Sequence, residues 1–86
     1  MKVLDFWGLH CAPCEKIGAY LTELQTEFPD ISIEKIAVHE NMNLAMEYFV
    51  KSVPTLVLIK DQEVVYKGNV GGMSKDQLKN LIIEHA

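Results

Sequence analysis

Two cysteines spaced by two residues, Cys11-Ala12-Pro13-Cys14, stand between the apolar run Val3-Leu4-Asp5-Phe6-Trp7 and a stretch of helical periodicity. That placement constrains the chain more than any other feature. A run so apolar needs cover on both faces, as a central strand has. The chain must then turn at once into a helix whose first turn carries both thiols. Unpaired N–H groups and the positive dipole end of a helix start favour a thiolate, which makes Cys11 the candidate nucleophile. Cys14, one turn in, is positioned to close a small disulfide or to attack a mixed disulfide formed at Cys11. The pair reads as a redox dithiol.

The rest of the chain alternates strand and helix patterns. Ile17, Leu21, Leu24 and Phe28 mark one buried face of a helix from Cys11 to about Phe28, ended by Pro29-Asp30. Ile31-Ser32-Ile33-Glu34 alternates and continues through Val38 as a strand, so a parallel crossover is implied. Asn41 or Asn43 then caps a shorter helix carrying Leu44, Ala45, Tyr48 and Phe49, which stops before Val53-Pro54. Thr55 to Ile59 and Glu63 to Tyr66 are β-rich runs joined by Lys60-Asp61-Gln62, a hairpin-length segment. After the loop Gly71-Gly72, Ser74 with Gln77 forms a capping box, and Leu78, Leu81 and Ile82 supply the buried stripe of a last helix running to His85.

Eighty-six residues, 49% of them hydrophobic, specify one domain over 1–86. The two cysteines are the only ones and do not make the long-loop framework of a small secreted protein, so stability must come from the core. A formal charge of −4 argues against nucleic acid and anionic membrane as partners, since both need clustered Lys and Arg. Met1-Lys2 leads straight into the first strand pattern without signal-peptide features, and a cytoplasmic setting is expected. No metal is expected either: the CxxC pair has no second pair, and His10, His39 and His85 do not fall at finger-like spacings.

In order and in residues, the chain resembles the thioredoxin family over almost its whole length. Asp5-Phe6-Trp7 followed by Cys11-Ala12-Pro13-Cys14 is similar to that family's strand and active-site loop, and Lys35 stands in the next strand where a lysine is common. Glu40-Asn41 with Leu44-Ala45 and Tyr48 resembles its middle helix, Ser52-Val53-Pro54-Thr55 its cis-proline loop, and Val70-Gly71-Gly72 with Ser74 its last loop and helix. The resemblance implies an α/β thioredoxin-like fold, a four-stranded mixed sheet flanked by three helices, lacking the leading strand and helix of full-length members. One sheet edge would then be uncovered.

Carried over position by position, the resemblance implies that Cys11 attacks a substrate disulfide and Cys14 resolves the intermediate, with Pro13 helping to set the potential. Pro54 would follow a cis peptide bond, turn its loop toward the cysteines and keep metals away. The backbone of Val53 would pair with an extended substrate segment, while Trp7, His10, Ala12, Pro13, Val70, Gly71 and Gly72 would surround Cys11. Asp5, alone among apolar residues, reads as a buried acid kept for proton transfer from Cys14, with Lys35 as its electrostatic partner. No bound cofactor is implied beyond the redox-active disulfide Cys11-Cys14. NADPH would be used indirectly, through a partner thioredoxin reductase. Disulfide-containing proteins would be the substrates, and a monomer is expected.

Three departures bear on the details. His10 replaces the tryptophan usual before the first cysteine, and a positive charge there would favour the Cys11 thiolate; Glu15, where the family often has a cation, would disfavour it. His39 stands where aspartate is common and Phe49 where glycine is common. Rival readings are glutathione-dependent recycling of the glutaredoxin type, a dedicated electron donor to one enzyme such as ribonucleotide reductase, and a non-catalytic thioredoxin-fold binding module. Against the glutaredoxin reading, Cys11 is followed by Ala12 and not by proline.

Overall fold

The computed structural model describes residues 1–86. Its elements are β1 (Lys2–Trp7), α1 (Ala12–Glu27), β2 (Ser32–Ala37), a 3-10 turn (Val38–Glu40), α2 (Met42–Glu47), β3 (Thr55–Lys60), β4 (Glu63–Asn69) and α3 (Lys75–His85). The sheet order is β2-β1-β3-β4. β1 pairs parallel with β2, and antiparallel with β3, which pairs antiparallel with β4. The mixed sheet and right order of helices follow the expectation, and β2 is an edge.

The apolar run of β1 divides by alternation between two cores. Val3 joins Leu56 and Leu58 against Ile17, Leu21 and Leu24 of α1 and Leu78, Leu81 and Ile82 of α3. Leu4 and Phe6 pack with Ile36, Val57 and Ala45 in a smaller cluster beneath α2. Asp5 lies on the α1 side between these apolar neighbours. Burying a Leu or Phe side chain contributes about 1.5–3 kcal/mol, so the eleven fully buried apolar residues hold the strand ends that carry the site.

The caps explain where the helices begin and end. Ser74 and Gln77 form the expected capping box, with the Gln77 N–H donating to Ser74 Oγ at 3.1 Å and the Ser74 N–H donating to Gln77 Oε1 at 2.9 Å. Lys75 and Lys79 tie α3 to Glu23 and Glu27 of α1. Asn41 is the N-cap of α2, but its carboxamide donates back to the Ala37 carbonyl at 2.9 Å and makes no bond to the helix it precedes.

Four boundaries differ from the sequence reading. Val38 enters the 3-10 turn and not β2. The hairpin loop is Asp61-Gln62 alone, both at positive φ, the geometry that matches strand twist in a two-residue turn. β4 runs on to Asn69, because its pairing with β3 continues to Thr55. Phe49 lies outside α2 at φ 54, where the Phe49 N–H donates to the Met46 carbonyl and the Val50 N–H to the Ala45 carbonyl. That left-handed cap suits glycine, and here it leaves an aromatic ring 72% exposed with the Lys67 ammonium 5.5 Å from its centroid.

Candidate active site

The strand-to-helix junction presents the cysteines. Cys11 is the N-cap of α1 in extended geometry, and its Sγ accepts from the Cys14 N–H at 3.1 Å, as a capping serine oxygen would. Pro13 fits the first turn, where its missing N–H costs nothing. The two cysteines are joined as a disulfide with Cα atoms 5.2 Å apart. Cys11 is half-buried and Cys14 is buried, so Cys11 is the more accessible of the two. His10, at φ 52, lies exposed directly before it, and Ala12 and Pro13 are exposed after it.

Two further loops meet this one. The Val53-Pro54 bond is cis, and the Pro54 carbonyl accepts from the Val70 N–H at 3.0 Å. Gly71 sits where all three loops converge. A Cβ added there would lie 3.1 Å from Asn69 Oδ1, 3.2 Å from Pro54 Cδ and 3.4 Å from Pro13 Cβ. Gly72 has open space around it, and Gly8 is pressed against Val53, whose Cγ2 would be 3.1 Å from a Cβ at that position. Pro54 and Val70 are buried and serve as the floor, while Val53 and Gly71 are half-exposed.

A cleft of about 420 Å³ runs beneath the disulfide, lined by Asp5, Trp7, His10, both cysteines, Glu15, Thr22 and Lys35 among others. Asp5 is 1% exposed, and its Oδ1 has no hydrogen-bond partner. Burial pushes its carboxyl up to about 6, and the Lys35 charge pulls it part of the way back. Lys35 is in register with Asp5 across β1 and β2. Its ammonium, however, turns to α1 and donates to Thr22 Oγ1 at 3.0 Å and to the Gly18 carbonyl at 3.3 Å. Lys35 therefore acts on Asp5 as a nearby charge and not as a contact ion pair.

Of the residues singled out in the sequence, Asp5, Trp7, His10, Lys35 and both cysteines line one cleft, and Gly71 lies against Pro54 and Pro13. Trp7 is half-buried and meets the His39 ring edge-on at 5.8 Å. His85 lies elsewhere, bonded to the Leu81 carbonyl with its ring tilted at 56° to that of Tyr66. No three His, Cys, Asp or Glu side chains converge in a metal-holding group. Three polar residues make contacts to which the sequence assigns no role: Ser52 and Thr55 of the cis-proline loop, and Asn69. Thr55 Oγ1 donates to the Ser52 carbonyl at 2.6 Å, and Asn69 joins Ser52 Oγ to the Gly71 N–H. The available signal was an asparagine two residues before a glycine, a spacing at which the side chain bonds its own backbone.

Known proteins resemble this chain in sequence and in fold. The thioredoxin family model matches residues 1–84. Thioredoxin of Bacillus subtilis is 44% identical over 82 residues, covering 94% of this chain and 78% of that protein. Thioredoxin of Haemophilus influenzae is 42% identical over 84 residues, 96% of this chain and 78% of its own length. Among solved structures, Fasciola hepatica thioredoxin superposes with a TM-score of 0.88 at 32% identity, covering 99% of this chain and 80% of that one. The oxidized form of mitochondrial thioredoxin 3 from Saccharomyces cerevisiae gives 0.85 at 32% identity, with 96% and 76% covered.

Proposed function

The chain belongs to the thioredoxin family and is a thiol-disulfide oxidoreductase, and we propose that it reduces protein disulfides by a two-step exchange in which Cys11 attacks and Cys14 resolves. The observation that carries the assignment of roles is the unequal burial of the two cysteines at one helix start, Cys11 half-buried and Cys14 buried. In the reduced protein the Cys11 thiolate attacks one sulfur of the substrate disulfide. That S–S bond breaks, the departing substrate thiolate takes up a proton, and Cys11 is left in a mixed disulfide. Cys14 then loses its proton and attacks Cys11 Sγ. The second substrate thiolate leaves, and two electrons have passed from the dithiol to the substrate.

The α1 start supports the first step, because Cys11 Sγ at the N-cap accepts the Cys14 N–H, and a thiolate formed there would lie at the positive dipole end. Asp5 is the proton acceptor for the second. Its carboxyl, held near 6, is largely ionised at neutral pH yet basic enough to take a proton. It shares the cleft with Cys14, and about 420 Å³ leaves room for water to relay the proton. Val53, Gly71 and Gly72 supply the backbone that an extended substrate strand pairs with, Trp7, His10, Ala12 and Pro13 the rim around Cys11, and Pro54 and Val70 the floor.

The recycling partner is a thioredoxin reductase that draws on NADPH, and the chain works as a monomer of one domain in the cytoplasm. No helix is long and apolar enough to cross a membrane. Reduction of insulin disulfides, followed with thioredoxin reductase and in parallel with glutathione and its reductase, tests the reading. Turnover with the first system supports it, turnover only with the second points to glutaredoxin-type recycling, and turnover with neither, nor with a chemical dithiol, refutes the activity in this chain.

A further inference from the structure

Asn69 ends β4 opposite Thr55, one residue before the buried Val70 and two before Gly71. Its side chain is exposed, so nothing in the core demands an amide there. Yet both ends of the carboxamide are engaged, Nδ2 donating to Ser52 Oγ at 2.9 Å and Oδ1 accepting from the Gly71 N–H at 2.8 Å. Ser52 is in turn fixed by Thr55 Oγ1, which donates to its carbonyl at 2.6 Å. One planar group therefore spans the gap between the loop carrying Val53-Pro54 and the loop carrying Gly71-Gly72. The only direct backbone bond between those loops is from the Val70 N–H to the Pro54 carbonyl.

We propose that Asn69 is a positioning residue for substrate docking: its carboxamide holds the two backbone segments that flank the disulfide at one separation, so that an extended peptide meets a preformed slot. This rests on the reading of Val53, Gly71 and Gly72 as the substrate-pairing surface. Loops that are free to separate must be ordered when the peptide binds, and that ordering weakens binding. The sulfur chemistry does not depend on it, because Asn69 touches neither cysteine. A small disulfide that needs no backbone pairing is indifferent to the gap.

The test compares wild type, Asn69→Ala, Ser52→Ala and the double variant with insulin and with a small aromatic disulfide as alternative substrates. Removing two surface hydrogen bonds is expected to raise KM for insulin about three- to ten-fold, with kcat changed by less than about two-fold. Ser52→Ala should give a smaller rise, and the double variant should match Asn69→Ala, since both act through one bridge. The rate constant with the small disulfide should stay within about two-fold of wild type in all three. An unchanged KM for insulin in Asn69→Ala, or an equal loss with both substrates, overturns the inference. Gly71→Val tests the underlying reading, because its side chain would crowd Asn69 Oδ1, Pro54 and Pro13 at once and so close the slot whether or not the Asn69 bridge matters. If Gly71→Val raises KM while Asn69→Ala does not, the slot is used and Asn69 does not position it. If neither raises KM, the slot itself is wrong.

Discussion

Replacing Asp5 by asparagine should make the protein more stable at neutral pH and slower in its chemistry, and the first half has a magnitude that follows from the site. The carboxyl is pushed from 3.8 to about 6 by burial, with Lys35 opposing. Sign follows from linkage: a folded-state value above the unfolded one means that the native protein binds the proton more tightly, so stability is lost as pH rises through the interval between them. Below 3.8 this group contributes no penalty, and above about 6 the penalty is complete. The interval of roughly two pH units corresponds to about 3 kcal/mol at about 1.4 kcal/mol per unit. Asparagine removes the charge but leaves an amide to be satisfied beside an Oδ1 position that has no partner, so a net gain of about 1–3 kcal/mol is expected at pH 7.5.

Guanidinium unfolding of wild type and Asp5→Asn, both with the Cys11–Cys14 disulfide intact, measures this directly. Comparing the two proteins at the same pH cancels the other titrating groups. The gap should be about 1–3 kcal/mol at pH 7.5 and should shrink by about 2 kcal/mol at pH 4, where the folded carboxyl is protonated. In thermal terms, each 1 kcal/mol is about 4–8 °C for a chain of this size. A gap that is the same at both pH values, or absent at pH 7.5, would show that Asp5 carries no buried charge, and the proton-transfer role would fall with it.

The same variant should slow resolution of the mixed disulfide about 100-fold or more in single-turnover kinetics while leaving the Cys11 attack near wild type; equal slowing of both steps would contradict the assignment. Cys14→Ser is expected to accumulate a mixed disulfide with substrate that mass spectrometry detects, whereas Cys11→Ser should trap none; the reverse pattern would exchange the two roles. In the reduced protein, His10→Trp should raise the pH midpoint of Cys11 alkylation, each unit meaning about 1.4 kcal/mol less stabilisation of the thiolate, and identical midpoints would remove His10 from the chemistry. Phe49→Gly should stabilise the fold by up to about 1 kcal/mol, because glycine relieves the left-handed cap at φ 54 and the lost ring is mostly exposed; a destabilised variant would show that its contact with Lys67 outweighs the strain.

Fold and cysteines were legible because their signals are local. The strand before Cys11, the helical spacing of Ile17, Leu21 and Leu24, and the Ser74-Gln77 box each declare themselves within a few residues, and each forms as its pattern requires. Boundaries failed where a neighbour decides. β4 extends to Asn69 because β3 offers it a partner as far as Thr55, which no property of Lys67-Gly68-Asn69 announces. Phe49 continues the helical pattern of α2 in sequence, yet the chain leaves the helix at Tyr48 through bonds to the Ala45 and Met46 carbonyls.

At the site, the same distinction separates what was read from what was missed. Asp5 could be recognised as buried because the residues around it in sequence are apolar, and it is. The direction of the Lys35 side chain could not, because it depends on Thr22 and the Gly18 carbonyl, acceptors on a helix that only the folded chain brings beside β2. The consequence is chemical. Were the ammonium bonded to Asp5, the carboxylate would be held by a charge-assisted contact and would be a poor base. With the ammonium drawn off to α1, burial outweighs the remaining attraction and the carboxyl stays near 6. The helix that presents the two cysteines thus also withholds the cation from the acid beneath them, and the basicity of Asp5 depends on the packing of α1 against β2 as much as on Asp5 itself.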